Sequence, residues 1–361
     1  MKSIRSILFA VVPMWLSACA VVPDGQRVMP SVPATWMAAH MPGDEIDSVS
    51  LWQAGDGRPV VVATAKRGDR LVLLDADEGR FLGEYGEHGT APGQFSGVNG
   101  IAIDGDRAFV VDRDNRRVQV LDLASRQVLG SFGESVLRRP FGLWLLAHGE
   151  DAFHVYVTDS YDIDAGQVHV DGSDGRVKSF AVRIGASGVV AELERAFGEP
   201  EGEAALRYVE SIWGDPANNR LLVADEYPGH RDIKVFDLAG RYTGQVLGRD
   251  VFVGEPEGIA LVECADGGGY WLVSDQHEEQ QAFRLFDRHD LSPVGAFRSD
   301  DARMVDGIWF QPGRTGRFAG GVVFSQHNDT SVVAFDWQAI SAALTLPAGC
   351  GSTAGDMPTR R

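Results

Sequence analysis

The sequence predicts an all-β chain folded as a six-bladed β-propeller of four-stranded antiparallel blades. Three observations carry that prediction. Short apolar runs bounded by Asp, Gly and Asn turns recur along most of the 361 residues, the pattern of consecutive antiparallel strands. The runs come in triplets that align six times, and each third run ends on an aspartate. The copies stand roughly 42 to 51 residues apart except after the third, a period that marks a propeller blade. Two stacked β-sandwiches would show no such shared register.

The clearest copy is the stretch from Val98 to Asp122, VNGIAIDGDRAFVVDRDNRRVQVLD. First strands open at Asp47, Asn99, Phe141, Glu210, Glu257 and Asp306. Second strands follow as VVVATAK (60–66), AFVVDR (108–113), VYVTDS (155–160), LLVADE (221–226), WLVSDQ (271–276) and GVVFSQ, reaching Gln326. Third strands are LVLLD (71–75), VQVLD (118–122), QVHVD (167–171), IKVFD (233–237), FRLFD (283–287) and VVAFD (332–336).

Residues 1–18 read as a secretory signal peptide, with Lys2 and Arg5 before an apolar run too short to span a membrane. Leu16-Ser-Ala-Cys19 resembles a bacterial lipobox, which implies lipidation at Cys19 and an envelope lipoprotein. Ala20 after that cysteine resembles the outer-membrane sorting pattern, with the chain on the periplasmic or surface side. Residues 19–42 form a tether, of which 34–40 are candidates for a strand that closes the ring on the last blade. The propeller itself spans 43–346. An insertion at about 181–209, with a helix-like piece at 188–197, is either a lid or a passive surface loop. Residues 347–361 are Gly/Pro/Thr-rich and are expected to be disordered. Cys264 and Cys350 either pair in an oxidising compartment or remain two thiols.

The formal net charge is −18, and removal of a leader carrying two cations and no acid would make it −20. Such a surface argues against nucleic acid and against anionic lipid as partners, leaving the N-terminal lipid as the only membrane contact. Nothing in the pattern calls for a partner subunit, so a monomer is expected.

Two positions repeat at the end of the ring where the first strands begin. One holds Asp47, Asn99, Phe141, Glu210, Glu257 and Asp306; the other holds Lys66, Arg113, Ser160, Glu226, Gln276 and Gln326. Acids gathered around a channel repel unless a cation neutralises them. Calcium suits carboxylate and amide oxygens in the absence of a His or Cys cluster. Lys66 and Arg113 supply two cations of the kind a phosphate group needs.

These residues resemble a β-propeller phytase. The matching segments include Glu257-Gly-Ile-Ala-Leu261, GGGYWLVSDQ (267–276), Val305-Asp-Gly-Ile308, Ala224-Asp-Glu226 and Ala63-Thr-Ala-Lys-Arg67. The resemblance implies a calcium-dependent phosphomonoesterase that releases phosphate from a phytate-like small molecule. It implies Asp47, Glu210, Glu226, Glu257, Asp306 and Gln326 as calcium ligands. Lys66, Arg113 and Glu226 would be the catalytic residues. Ser160-Tyr161 stands where the family has a Lys-Glu pair, and Phe141 where it has a channel tyrosine. Gly93-Gln-Phe95 and residues 114–120 also resemble an NHL repeat, which implies a non-catalytic binding propeller. A calcium-dependent lactonase-like hydrolase is a third reading.

Overall fold

A computed structural model describes residues 29–161, 175–199 and 201–351. The described chain forms six four-stranded antiparallel sheets, each a blade. A two-residue strand near the start, β1 (Trp36–Met37), pairs with the last strand of the chain. Blade 1 is β2 to β5 (Ile46–Gln53, Pro59–Ala65, Arg70–Asp75, Phe81–Tyr85). Blade 2 is β6 to β9 (Val98–Asp104, Arg107–Asp112, Arg117–Asp122, Gln127–Phe132). Blade 3 is β10 to β13 (Pro140–Ala147, Ala152–Asp159, Val177–Gly185, Gly188–Phe197). Blade 4 is β14 to β17 (Val209–Asp215, Arg220–Asp225, Asp232–Phe236, Tyr242–Leu247). Blade 5 is β18 to β21 (Glu255–Glu263, Gly269–Gln276, Ala282–Asp287, Pro293–Phe297). Blade 6 takes β22 to β24 (Ile308–Gln311, Val322–His327, Ser331–Asp336) from the C-terminal part and β1 as its outer strand.

The core explains why the ring closes. Each of six apolar clusters draws on two neighbouring blades, so every blade is buried on both faces. Phe109, Val120, Phe153 and Phe180 join blades 2 and 3; Leu272, Phe283, Phe310 and Phe335 join blades 5 and 6. Trp36, Val61, Val72 and Phe324 join blades 6 and 1. Burying a side chain of this size contributes about 1.5–3 kcal/mol, so closure adds an interface that an open row of blades would lack.

The aspartate that ends most third strands forms the turn to the fourth. Asp75 accepts from the backbone N–H groups of Asp77 and Glu78, Asp122 from Ser125, Asp237 from Arg241, and Asp287 from His289 and Asp290. An aspartate there satisfies turn donors that the ladder leaves unpaired.

Three boundaries differ from expectation. The third strand of blade 3 is Val177–Gly185, not residues 167–171, which lie outside the described residues. Its Phe180, Val182 and Ile184 face the core between blades 2 and 3. The stretch 188–197 is a strand, not a helix, and pairs with Val177–Gly185 along its length. The reason is its period of two: Val189 and Ala191 pack inward, while Glu192 and Glu194 are exposed. The extra length of the third copy therefore falls between β11 and β12, not at 181–209.

The third difference is at the termini. Val32 is buried and its N–H bonds to the Arg298 carbonyl, so the tether joins the fold before β1. Pro347 to Gly351 are likewise part of the fold. Cys264 and Cys350 form a disulfide, and the Gly351 N–H donates to the Glu263 carbonyl. The signal segment and Cys19 lie outside the described residues.

Candidate functional site

The first strands line the central channel, and glycine lets them crowd. A Cβ on Gly142 would lie 2.2 Å from the Glu210 carbonyl oxygen, and one on Gly307 would lie 2.5 Å from that of Asp47. Gly258 donates its N–H to the Asp306 carbonyl at 2.6 Å. Each residue just before such a glycine is thereby held at the channel mouth. Below it the channel narrows to a cavity of about 60 Å³, lined by Val49, Ile101, Leu143, Trp213 and Trp309 among others. That is room for a few waters.

The mouth has two unlike halves. On one side Glu210, Glu226 and Glu257 converge, with one carboxylate oxygen from each within 4.8 Å of the others. Glu257 is 5% exposed, and Glu226 Oε1 is buried without any hydrogen-bond partner. Burial holds the Glu226, Glu257 and Asp306 carboxyls well above their usual range, and neighbouring acids push them further. Glu210 is pushed up to about 7 by burial, an effect Lys66, Arg113 and Arg139 oppose. Glu255, which the sequence reading passed over, adds to the repulsion on Glu226 and Glu257.

The other half carries the cations. Lys66 Nζ lies 3.0 Å from Asp47 Oδ2 and 3.3 Å from Glu45 Oε1, and Asp47 chiefly raises its pKa. Asn99 also donates to Asp47 Oδ2, at 3.2 Å. Arg113 pairs side-on with Asp114, its Nε 2.9 Å and its Nη2 3.3 Å from the two oxygens. Burial works against the Arg113 charge, but Asp114 outweighs it. The guanidiniums of Arg113 and Arg139 each lie 5.6 Å from the centre of the Phe141 ring.

The structure thus brings Asp47, Lys66, Arg113, Glu210, Glu226, Glu257 and Asp306 to one mouth, but it separates two residues from it. Gln326 uses both ends of its amide on the turn beside it: it donates to the Met304 carbonyl and accepts from the Asp329 N–H. Its amide is thereby held by the Met304 and Asp329 backbone. Ser160 is fully buried and its Oγ accepts from the Val209 N–H at 3.0 Å, so this position does not reach the rim in blade 3. Asp306 accepts from Gln276.

The donor set fits calcium. Hard oxygens at 2.3–2.6 Å from a shared ion lie at most about 5 Å apart, which the three glutamates meet. Partly buried at Glu210 and Glu226 and buried at Glu257, with one Glu226 oxygen lacking any partner, they have a cost that a bound cation would remove.

No protein-family model matches this chain, and no curated protein matches its sequence. Solved structures do match. Regucalcin of Agrobacterium tumefaciens, a calcium-binding protein, is similar at 12% identity over 86% of this chain and 97% of that one, with a TM-score of 0.51. The β-propeller domain of Myceliophteria thermophila Cps50 (Swd1) is similar at 11% identity over 82% of this chain and 99% of that one, with a TM-score of 0.48. Hydrazine synthase of Kuenenia stuttgartiensis is similar at 13% identity over 84% and 76%, with a TM-score of 0.46. The likeness is one of fold.

Proposed function

We propose that this protein is a calcium-dependent hydrolase of phosphate monoesters, with a phytate-like small molecule as substrate. One observation carries the reading: three converging glutamates, one buried and two partly buried, and a set of cations face one another across a single channel mouth. Glu210, Glu226 and Glu257 would hold calcium, with Asp306 beside them. Bound there, calcium would supply Lewis-acid polarisation of the phosphoryl oxygen and activation of water. Lys66 and Arg113 orient the phosphoryl oxygens by charge-assisted hydrogen bonds. Glu226, held towards its protonated form while no cation is bound, would give up that proton when one binds. The likeness to regucalcin, a calcium-binding protein, is consistent with calcium but says nothing of the reaction. On this reading the chain is an envelope lipoprotein anchored through Cys19 and works as a monomer.

A second reading is favoured by the engagement of Lys66 with Asp47 and Glu45 and of Arg113 with Asp114. Cations already matched by acids suit a less charged substrate, such as a lactone. The test is release of phosphate from phytate and from a simple phosphomonoester, with calcium and with chelator, beside lactone opening under the same conditions. Calcium-dependent phosphate release supports the first reading. Lactone opening without phosphate release replaces it, and calcium binding with neither activity makes the protein a binding propeller.

A further inference from the structure

The net charge of −18 makes any concentration of cations at the mouth a local exception. Several arginines of blades 2 to 4 lie over aromatic rings. Arg138 lies over Tyr161 at 4.8 Å, a ring that Arg176 and Lys178 also face, and Arg207 lies over Tyr227 at 4.7 Å. Arg113 and Arg139 share Phe141, which is 4% exposed. Their guanidiniums are therefore at most about 11 Å apart.

Both arms are set in place by the backbone. The Arg139 N–H donates to Asp159 Oδ1 at 2.6 Å and its carbonyl accepts from the Ser160 N–H at 2.9 Å. Pro140 follows directly and fixes the entry into β10. Across the ring, a Cβ on Gly97 would come within 2.9 Å of Arg113 Nη2, so glycine there leaves room for the guanidinium. Arg113 spends Nε and Nη2 on Asp114, and the other edge of its fork is not committed to that acid. Both guanidiniums also act on Glu210 across the mouth. A dianionic tetrahedral group beside that ring would take a charge-assisted contact from each guanidinium.

The geometry points to Arg139, with Arg113 and Phe141, as an anion clamp that selects a dianionic phosphoryl group and does so without metal. Its place in catalysis rests on the function proposed above; its binding of phosphate does not. Arg139 is then a specificity-determining residue, favouring a phosphomonoester over a diester or a lactone.

The test is calorimetric titration of inorganic phosphate into the full protein in chelator at low salt. Wild type is expected to bind, and Arg139→Ala to weaken binding at least tenfold. Arg138→Ala, which removes the same charge one residue away, is expected to change it less than twofold. Arg139→Lys, which keeps the charge but loses the fork, should fall between, and thermal melting confirms that each variant is folded. Equal losses in Arg139→Ala and Arg138→Ala would reduce the effect to net charge and overturn the clamp, as would a wild type that binds no phosphate. Phosphate-ester assays separate the two claims. Hydrolysis with KM unchanged in Arg139→Ala would sink the clamp and keep the reaction. Phosphate binding that depends on Arg139, in a protein that hydrolyses no ester, would keep the clamp and sink the reaction.

Discussion

Two sets of buried acids in this propeller look alike in the sequence and differ in what surrounds them. Asp112, Asp159 and Asp225 end the second strands of blades 2 to 4, Asp275 is the last residue but one of that of blade 5, and all four are fully buried. Each has a cationic or titratable partner: Arg117 and Lys178 at 2.7 Å, His230 at 2.5 Å, and Arg284. Each also accepts backbone N–H groups from the loop leading into its own blade's first strand, for example Ser96 to Asp112 and Tyr208 to Asp225. Glu210, Glu226 and Glu257 lie only one residue beyond or near these positions, yet they face one another instead. The first set is compensated and fastens loop to blade. In the second, Glu226 and Glu257 meet mainly other acids and only Glu210 is opposed by nearby cations, and burial with so little compensation is what a ligand site stores.

That contrast can be broken by mutation. Asp159→Ala leaves Lys178, 2% exposed, without its carboxylate, and should destabilise by about 3–5 kcal/mol. Glu257→Gln should be neutral or stabilising in chelator, because it removes a charge from a repelling group. Denaturant unfolding of both variants without metal checks this, and equal destabilisation would erase the distinction.

A smaller effect sharpens it at the other end of blade 5. The Cys264–Cys350 disulfide closes a separation of 86 residues and sits beyond the end of β18 opposite Glu257. Reduction should cost about 2–4 kcal/mol and leave calcium affinity unchanged. A calcium affinity that followed the redox state would tie the two ends together and count against a self-contained mouth.

A further effect is on pH dependence. Glu210 in the folded chain is pushed up to about 7, above the usual glutamate range near 4.3. The folded state then binds more protons than the unfolded one between these values. Stability in chelator should therefore be highest at the acid end of that window and fall as pH rises to about 7. Calcium should flatten the slope, since it compensates the same charge. Melting curves from pH 4.5 to 7.5, with and without calcium, measure it; a rising slope in chelator would contradict the assignment.

Much of this was legible in the residues themselves. Alternation in VQVLD and IKVFD and the repeated Asp turns fix the blade unit, because period two and turn chemistry are local properties. Glu210, Glu257 and Asp306 were legible because the following Gly or Ser places them at one structural position. Blade 3 was misread because the 167–171 run alternates as well as Val177–Gly185 does, and only packing against blade 2 chooses between them. The backbone contacts of Gln326 to Met304 and Asp329 were not legible, because an amide at a rim position does not reveal its partners. Arg139 and Glu255 went unnoticed because neither falls on a repeated position; their placement comes from how neighbouring loops meet across the channel.

The central claim is that Glu210, Glu226 and Glu257 form a cation site rather than surface charge. Calorimetric titration of calcium into chelator-stripped protein tests it most directly, with Glu257→Gln and the blade variant Asp225→Asn alongside. The account predicts a saturable calcium site in wild type, weakened at least tenfold by Glu257→Gln and retained in folded Asp225→Asn. No saturable binding in wild type, or the same affinity in Glu257→Gln, would contradict it.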